Sequence, residues 1–414
     1  MTYSLSDAIC RGIPAKIALQ TSKKWLNPAA WCPEFLNANM PERIVVKRQI
    51  GNPHFMYAEG AHRHLLADDR AGKTELISMS PRRLFELCAQ QIVPPRSLPS
   101  SSNAYHYYTA PVHELGLALQ TSVSDGWQAD LVCEPHTCAE FGAKPFVSTW
   151  IGGAGSTTTA HYDVLDNVFV QLHGSKRFAF WPPQSSPALL VYPDVHTRAR
   201  KSQLGSIEEM PTAVSELVVH AGEALYIPSF YFHHVVAEEL SISLNAFSLT
   251  RANINASSVL ATLPPTALLQ DVQHAPEVLA ATLHPLLMQP ECAVEDPLTF
   301  LERNLLSRFV PLGLPGLAPS ARAEKRVGLS FDGNREVGAV AHKVGTLRAE
   351  LARTRPAADV DGVVHIVLAH LVELWAHRAC LADAHLVPQL LLEVTHQMRK
   401  GAIGCAQGSA LSAV

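Results

Sequence analysis

The sequence predicts a mainly β protein: a double-stranded β-helix (jelly-roll) core, with an α/β region before it and an α-helical region after it. Three observations predict this. From residue 105 to about 248, short runs rich in β-branched and aromatic residues alternate with turn residues. Ahead of them, strand and helix signals are mixed. Beyond Thr250 the chain is rich in Ala and Leu at helical spacing. The expected units are residues 1–104 packing on the barrel, 105–250 as the barrel itself and 251–414 as the helical region.

Residues 42–48 (Glu-Arg-Ile-Val-Val-Lys-Arg) read as a strand. Residues 80–88 read as a helix, with Ser80 as N-cap and Pro81 in the first turn. Residues 94–102, rich in Pro and Ser, read as a loop. In the barrel, 145–151 is a strand, and 167–172 and 176–181 form a hairpin about His173-Gly174-Ser175. Residues 216–220, 224–227 and 241–247 complete the series. In the last region, 363–398 sets Val364, Val367, Leu368, Leu371, Leu374 and Trp375 on one helical stripe. That stripe serves either as a homodimer interface or as a face packed on the barrel. Residues 303–332, with Pro311, Pro315 and Pro319, read as a linker or irregular crossing.

Composition narrows the class. Of the 414 residues, 47% are apolar and 17% charged, enough to bury a large core. A net charge of -4 gives no global sign of nucleic-acid binding, so any such contact needs a local basic patch. No apolar run approaches the roughly 18–20 residues that span a bilayer, and the first residues lack a signal-peptide pattern. With eight dispersed cysteines, the expectation is a soluble chain with free thiols in the cytoplasm or nucleus.

The chemistry centres on His161-Tyr162-Asp163 and on His233-His234, which follow Tyr226-Ile227-Pro228-Ser229-Phe230-Tyr231-Phe232. Two imidazoles and one carboxylate are the facial triad of non-haem Fe(II), which leaves positions open for a co-substrate and O₂. In His-x-Asp both side chains leave an extended strand on the same side. His233 and His234 face opposite ways, so only one reaches the metal, and spacing leaves either open. Were the co-substrate 2-oxoglutarate, its far carboxylate would need a cation or hydroxyl deep in the pocket. Lys176, on the strand returning beside His161, is a candidate anchor, although a solvent-facing hairpin lysine is the plainer account on spacing alone. Thr158 offers a hydroxyl, and Asn167 and Asn245 offer amides.

Other patterns are weaker. Cys133, His136 and Cys138 supply too few zinc ligands. Gly152-Gly153-Ala154-Gly155 lacks the Gly-Lys-Ser/Thr of a phosphate loop. His365, His370 and His377 fit a packed helix better than a shared metal face.

The runs His161-Tyr162-Asp163-Val164-Leu165-Asp166-Asn167, Gly174-Ser175-Lys176-Arg177 and Tyr226 through Val235 resemble the JmjC oxygenases of the cupin-like hydroxylase branch. Within it they look most like the hydroxylases of tRNA wybutosine synthesis. The resemblance covers residues 105 to 250, with looser likeness at residues 21–25 and at the Tyr107-Tyr108 pair. It implies a cupin/JmjC barrel with Fe(II) on His161, Asp163 and His233. It implies 2-oxoglutarate on Lys176 and Thr158, helped by Asn167, Asn245 and a tyrosine assigned to Tyr108, with Tyr107 as its rival. Thr109-Ala110-Pro111 departs from the family's usual Leu-Arg or Leu-Gln.

The activity so implied is that of a 2-oxoglutarate-dependent Fe(II) dioxygenase hydroxylating a hypermodified, wybutosine-type guanosine in tRNA. The basic cluster His196, Arg198, Arg200 and Lys201 would take phosphates, and Tyr192 or Trp181 would stack on a base. The alternative is hydroxylation of a protein side chain (asparaginyl, histidyl or lysyl) or lysine demethylation. No accompanying reader domain or zinc cluster favours demethylation.

Overall fold

The computed structural model describes residues 2–18, 31–55, 66, 74–91, 103–116, 119, 146–265, 268, 274–313 and 333–411. The expected features at residues 21–25, 94–102 and 133–138 lie outside these.

Twelve strands among the described residues make two antiparallel sheets. They are β1 (Ala15–Ile17), β2 (Ile44–Ile50), β3 (Glu75–Met79), β4 (Ala104–Pro111), β5 (Phe146–Gly152), β6 (Thr157–His161), β7 (Asp166–His173), β8 (Ser175–Trp181), β9 (Ser215–His220), β10 (Ala224–Ile227), β11 (Phe232–Ala237) and β12 (Ser241–Ser248). The larger sheet runs β1-β10-β7-β12-β5-β4-β2-β3 and the smaller β6-β11-β8-β9. The hairpin β7–β8 turns at Gly174, whose φ of 68° is left-handed and easily adopted only without a Cβ.

Side-chain alternation divides each sheet into two faces. On β12, Ile242, Leu244 and Ala246 join an outer core, while Ser243 and Asn245 point inward. That outer core is closed by α1 (Leu5–Arg11), α2 (Pro33–Asn39) and α3 (Pro81–Ala89), through Ile9, Leu36, Leu84 and Phe85. Helix α3 starts as expected, with the Ser80 hydroxyl accepting the Arg83 N–H at 3.3 Å. Between the sheets lie Phe169, Phe178, Phe180, Leu225 and Ile227.

The smaller sheet's outer face (Ala160, Tyr162, Ala179, Trp181, Phe232) shares one core with the C-terminal helices. These are α4 (Arg251–Leu260), α5 (Ala275–Leu287), α6 (Gly333–Leu351), α7 (Ala357–Ala379) and α8 (Val387–Leu411). The expected stripe lies on α7, where Val364, Val367, Leu368, Leu371 and Trp375 are buried within this chain. Its helical pattern breaks before α8, where Leu381 and Ala382 take positive φ. The start of the expected 303–332 linker is instead helical, through Glu302–Leu306 and Ser307–Phe309. Leu305 and Phe309 are buried in the helical core there, and burial overrides the proline signal. No helix among the described residues is long and apolar enough to cross a membrane.

Candidate metal centre

His161 ends β6 and stands opposite His233 on β11. Asp163 lies just beyond β6. Its carbonyl accepts the Phe230 N–H at 2.7 Å. Tyr162 turns the other way and packs on Phe230 and Phe232. Ligand atoms of His161, Asp163 and His233 all fall within 4.8 Å of one another, the one such cluster of His, Cys, Asp or Glu among the described residues. His233 Nε2 is 3.7 Å from an Asp163 oxygen.

Both rings are oriented from behind. His161 Nδ1 lies 2.8 Å from the Thr159 carbonyl, and His233 Nδ1 lies 3.1 Å from that of Tyr231. A carbonyl can only accept, so each Nδ1 carries the proton and each Nε2 offers its lone pair to the shared space. Burial, with the nearby His233 and Lys201, holds the His161 pKa well below the usual histidine range, which keeps that ring neutral. This donor set could hold a metal ion. His234 points to the opposite face, towards His54 at 6.2 Å between ring centroids. Burial takes its pKa down to about 3.

Thr158 and His161 both line the same cavity, although strict alternation would turn them to opposite faces. A bulge resolves this. His233 pairs with His161 and Val235 with Thr158, so Thr159 and Ala160 together oppose His234. The extra residue returns Thr158 to the inner face, while the Thr159 hydroxyl meets His54 on the other side at 3.2 Å.

The cavity is about 230 Å³ and runs inward from the triad to Lys176. Lys176 is 3% exposed, and its ammonium donates to the Ser243 hydroxyl at 3.0 Å. Among the described residues it has no carboxylate partner. Burial pulls its pKa down to about 7. The rings of Phe169 and Tyr107 flank it at 5.5 and 5.9 Å. Tyr107 hydrogen-bonds the Thr158 side chain, and burial raises its pKa to about 12. Asn245 lines the cavity. Asn167 is on the Phe169 face of β7, with both amide atoms buried and without a hydrogen-bond partner among the described residues.

The tyrosine assignment changes. Tyr108 belongs to the outer core under the N-terminal helices, because β4 alternates; Tyr107 faces inward. Ser243 was not anticipated, though the alternating Ser241, Ser243 and Asn245 on β12 signal a polar inner face.

The basic cluster is also placed differently from expectation. His196, Arg198 and Lys201 are buried, and Arg200 is half-buried at the cavity mouth. Tyr192 is buried against His196, and Trp181 is buried with its indole donating to the Pro211 carbonyl. Neither ring is available to stack on a base. Arg200 also borders a second cavity of about 500 Å³, walled by Val164, Phe230, Leu260, His370 and His377.

Residues 99–248 match the family model of the cupin-like domain. The chain is similar to "Lysine-specific demethylase JMJ31" of Arabidopsis thaliana, 28% identical over 109 residues, which is 24% of this chain and 20% of that protein. It is similar to "tRNA wybutosine-synthesizing protein 5" of Gallus gallus, 31% identical over 106 residues, 23% of this chain and 31% of that protein. It is also similar to "Bifunctional peptidase and (3S)-lysyl hydroxylase JMJD7" of Homo sapiens, 26% identical over 126 residues, 24% of this chain and 40% of that protein. The chain thus spans well under two thirds of the length of these relatives. With two antiparallel sheets around a His-Asp-His cluster and this family match, residues 99–248 constitute a cupin-like (JmjC) domain.

Proposed function

We propose that this chain is an Fe(II)- and 2-oxoglutarate-dependent dioxygenase that hydroxylates its substrate. The observation that carries the reading is Lys176, a buried ammonium with a hydroxyl beside it and no carboxylate partner among the described residues, in the same cavity as the triad. A buried cation without an anion is costly, and a ligand carboxylate would relieve it. His161, Asp163 and His233 would hold the iron. When bound, iron and 2-oxoglutarate supply oxidative decarboxylation to succinate and CO₂, coupled to hydroxylation of a substrate C–H bond by O₂.

The chain's own residues orient and enclose. Lys176 and Ser243 would take the far carboxylate by charge-assisted hydrogen bonds, with Thr158 and Tyr107 adding hydroxyls. The amides of Asn167 and Asn245 would find partners on the co-substrate or on ordered water. Phe169, Phe178, Ile227 and Val235 wall the cavity with apolar surface and exclude bulk water. No side chain need act as acid or base.

The first substrate to test is a wybutosine-type guanosine in tRNA, on the sequence resemblance and the name of the Gallus gallus relative. A protein side chain is the second reading. It is favoured by the burial of His196 and Arg198, which reduces the expected phosphate-binding patch to Arg200 and Lys201 beside the cavity. The test loads Fe(II) and 2-oxoglutarate anaerobically and measures succinate on adding O₂ with total tRNA or with protein extract. Release stimulated by tRNA, with one oxygen gained by a modified guanosine, supports the first reading. Stimulation by protein alone supports the second, and no metal-dependent release with either removes the proposal.

A further inference from the structure

A buried arginine from beyond the cupin-like domain reaches the backbone turn that carries one of the triad histidines. Arg355 lies in the link between α6 and α7, with its side chain 4% exposed. Its guanidinium donates to the Ser229 carbonyl at 2.8 Å and to the Ser229 hydroxyl at 2.8 Å. It also lies 3.8 Å from Asp166 Oδ1. That same carboxylate oxygen accepts the Ser229 N–H at 2.8 Å, and Asp166 Oδ2 accepts the Tyr226 hydroxyl at 2.9 Å. Ser229 is thereby held at its N–H, its carbonyl and its hydroxyl, and it is fully buried.

The next residue transmits this to the triad. Phe230 has a φ of 63°, a left-handed conformation that is costly for a bulky side chain and needs support from its surroundings. Its N–H donates to the carbonyl of Asp163. Three residues further along stands His233. Asp163, and Asp166 three residues after it, lie on one side of this network, and the turn leading to His233 lies on the other. The planar fork of an arginine presents donors in fixed directions to a carbonyl and a hydroxyl, where a lysine offers a compact, freely rotating point charge.

We infer that Arg355 is a positioning residue for the metal centre: from outside the cupin-like domain it fixes the turn at Ser229 and Phe230, and so the spacing of Asp163 from His233. A second tie from the helical region acts in the same sense, since the Asn253 amide on α4 donates to the carbonyl of Val164, next to Asp163. The inference rests on the reading of His161, Asp163 and His233 as metal ligands, and its test separates the two.

Co(II) is the probe, because its visible bands report coordination geometry as well as affinity. The full chain is titrated as wild type, His161→Ala, Arg355→Met, Arg355→Lys and Ser229→Ala, well below each protein's melting temperature. The wild type should bind Co(II), and His161→Ala should not. Arg355→Met should bind roughly 10- to 100-fold more weakly, with altered bands, as groups that orient metal ligands do when removed. Arg355→Lys should fall between, keeping the charge but losing the rigid two-pronged geometry. Wild-type affinity and bands in Arg355→Met overturn the positioning role. Should that variant not fold, Ser229→Ala decides: it loses only the hydroxyl anchor, a several-fold weakening is expected, and no change overturns the inference. A wild type that does not bind Co(II), or binding that survives His161→Ala, overturns the metal reading and the inference with it.

Discussion

Lys176 makes the affinity for 2-oxoglutarate depend on pH. Burial brings its pKa to about 7, so in the co-substrate-free protein about half of the molecules carry a neutral amine at neutral pH. Only the ammonium form pairs with a carboxylate. The apparent dissociation constant therefore grows as one plus the ratio of amine to ammonium, a weakening of about tenfold from pH 6 to pH 8. The direction is fixed: affinity is full below the depressed pKa and falls as pH rises through it. Two other groups of the cavity stay outside that window, since Tyr107 is pushed up to about 12 and His161 well below the usual histidine range. Lys176→Met keeps the length and removes the charge. At pH 6 it should weaken 2-oxoglutarate binding by about 1.5–3 kcal/mol, the worth of a charged hydrogen bond, which is roughly 10- to 100-fold. It should also abolish the pH dependence. Anaerobic titration calorimetry of metal-saturated protein from pH 6 to pH 8.5 measures both. A flat profile in the wild type, or wild-type affinity in Lys176→Met, refutes the anchor.

Three further outcomes are expected. His161→Ala, Asp163→Ala and His233→Ala should each abolish turnover while leaving a cooperative thermal transition, and full activity in any one would remove the metal assignment. Gly152→Ala would bring a Cβ within 2.7 Å of the Tyr107 ring. Displacing that ring should weaken 2-oxoglutarate binding about fivefold, the worth of one hydrogen bond; unchanged affinity in the same titration would mean Tyr107 is not a contact. Glu373 is fully buried and pairs with Arg308, which also faces Asp194 at 3.6 Å. Glu373→Gln should therefore cost about 3 kcal/mol of stability by urea denaturation, and a loss below about 1 kcal/mol would mean the pair is not coupled to folding.

What could be read in the sequence was local. The β7–β8 hairpin was legible because Gly174 sits between two strand-like runs, and α3 because Ser80 and Pro81 announce its start. The triad was legible as a spacing, although spacing alone left His233 and His234 open; their opposite faces on β11 distinguish them. The choice between Tyr107 and Tyr108 was not legible. It depends on which face of β4 meets Gly152 across the sheet, and pairing register is a long-range property. The basic cluster was misread for a similar reason: a charged run usually lies in solvent, but this one is folded into the barrel mouth beside Tyr192. Arg355 carried no signal at all, since it reaches Ser229 across 126 residues of chain.

The bulge in β6 has a bearing on which mutations this barrel can tolerate. One extra residue, shared between Thr159 and Ala160, lets a triad histidine and the Thr158 hydroxyl project into one chamber from one strand. Loss of either residue would restore even parity to β6. Thr158 and His161 would then stand two positions apart, so regular alternation would keep both on the inner face. Substitutions at Thr159 or Ala160 change only what packs behind the strand. A single-codon deletion there should therefore leave both functional side chains in place, whereas at the native length only the bulge keeps Thr158 inside, so the length of this segment and its pairing register specify the site together.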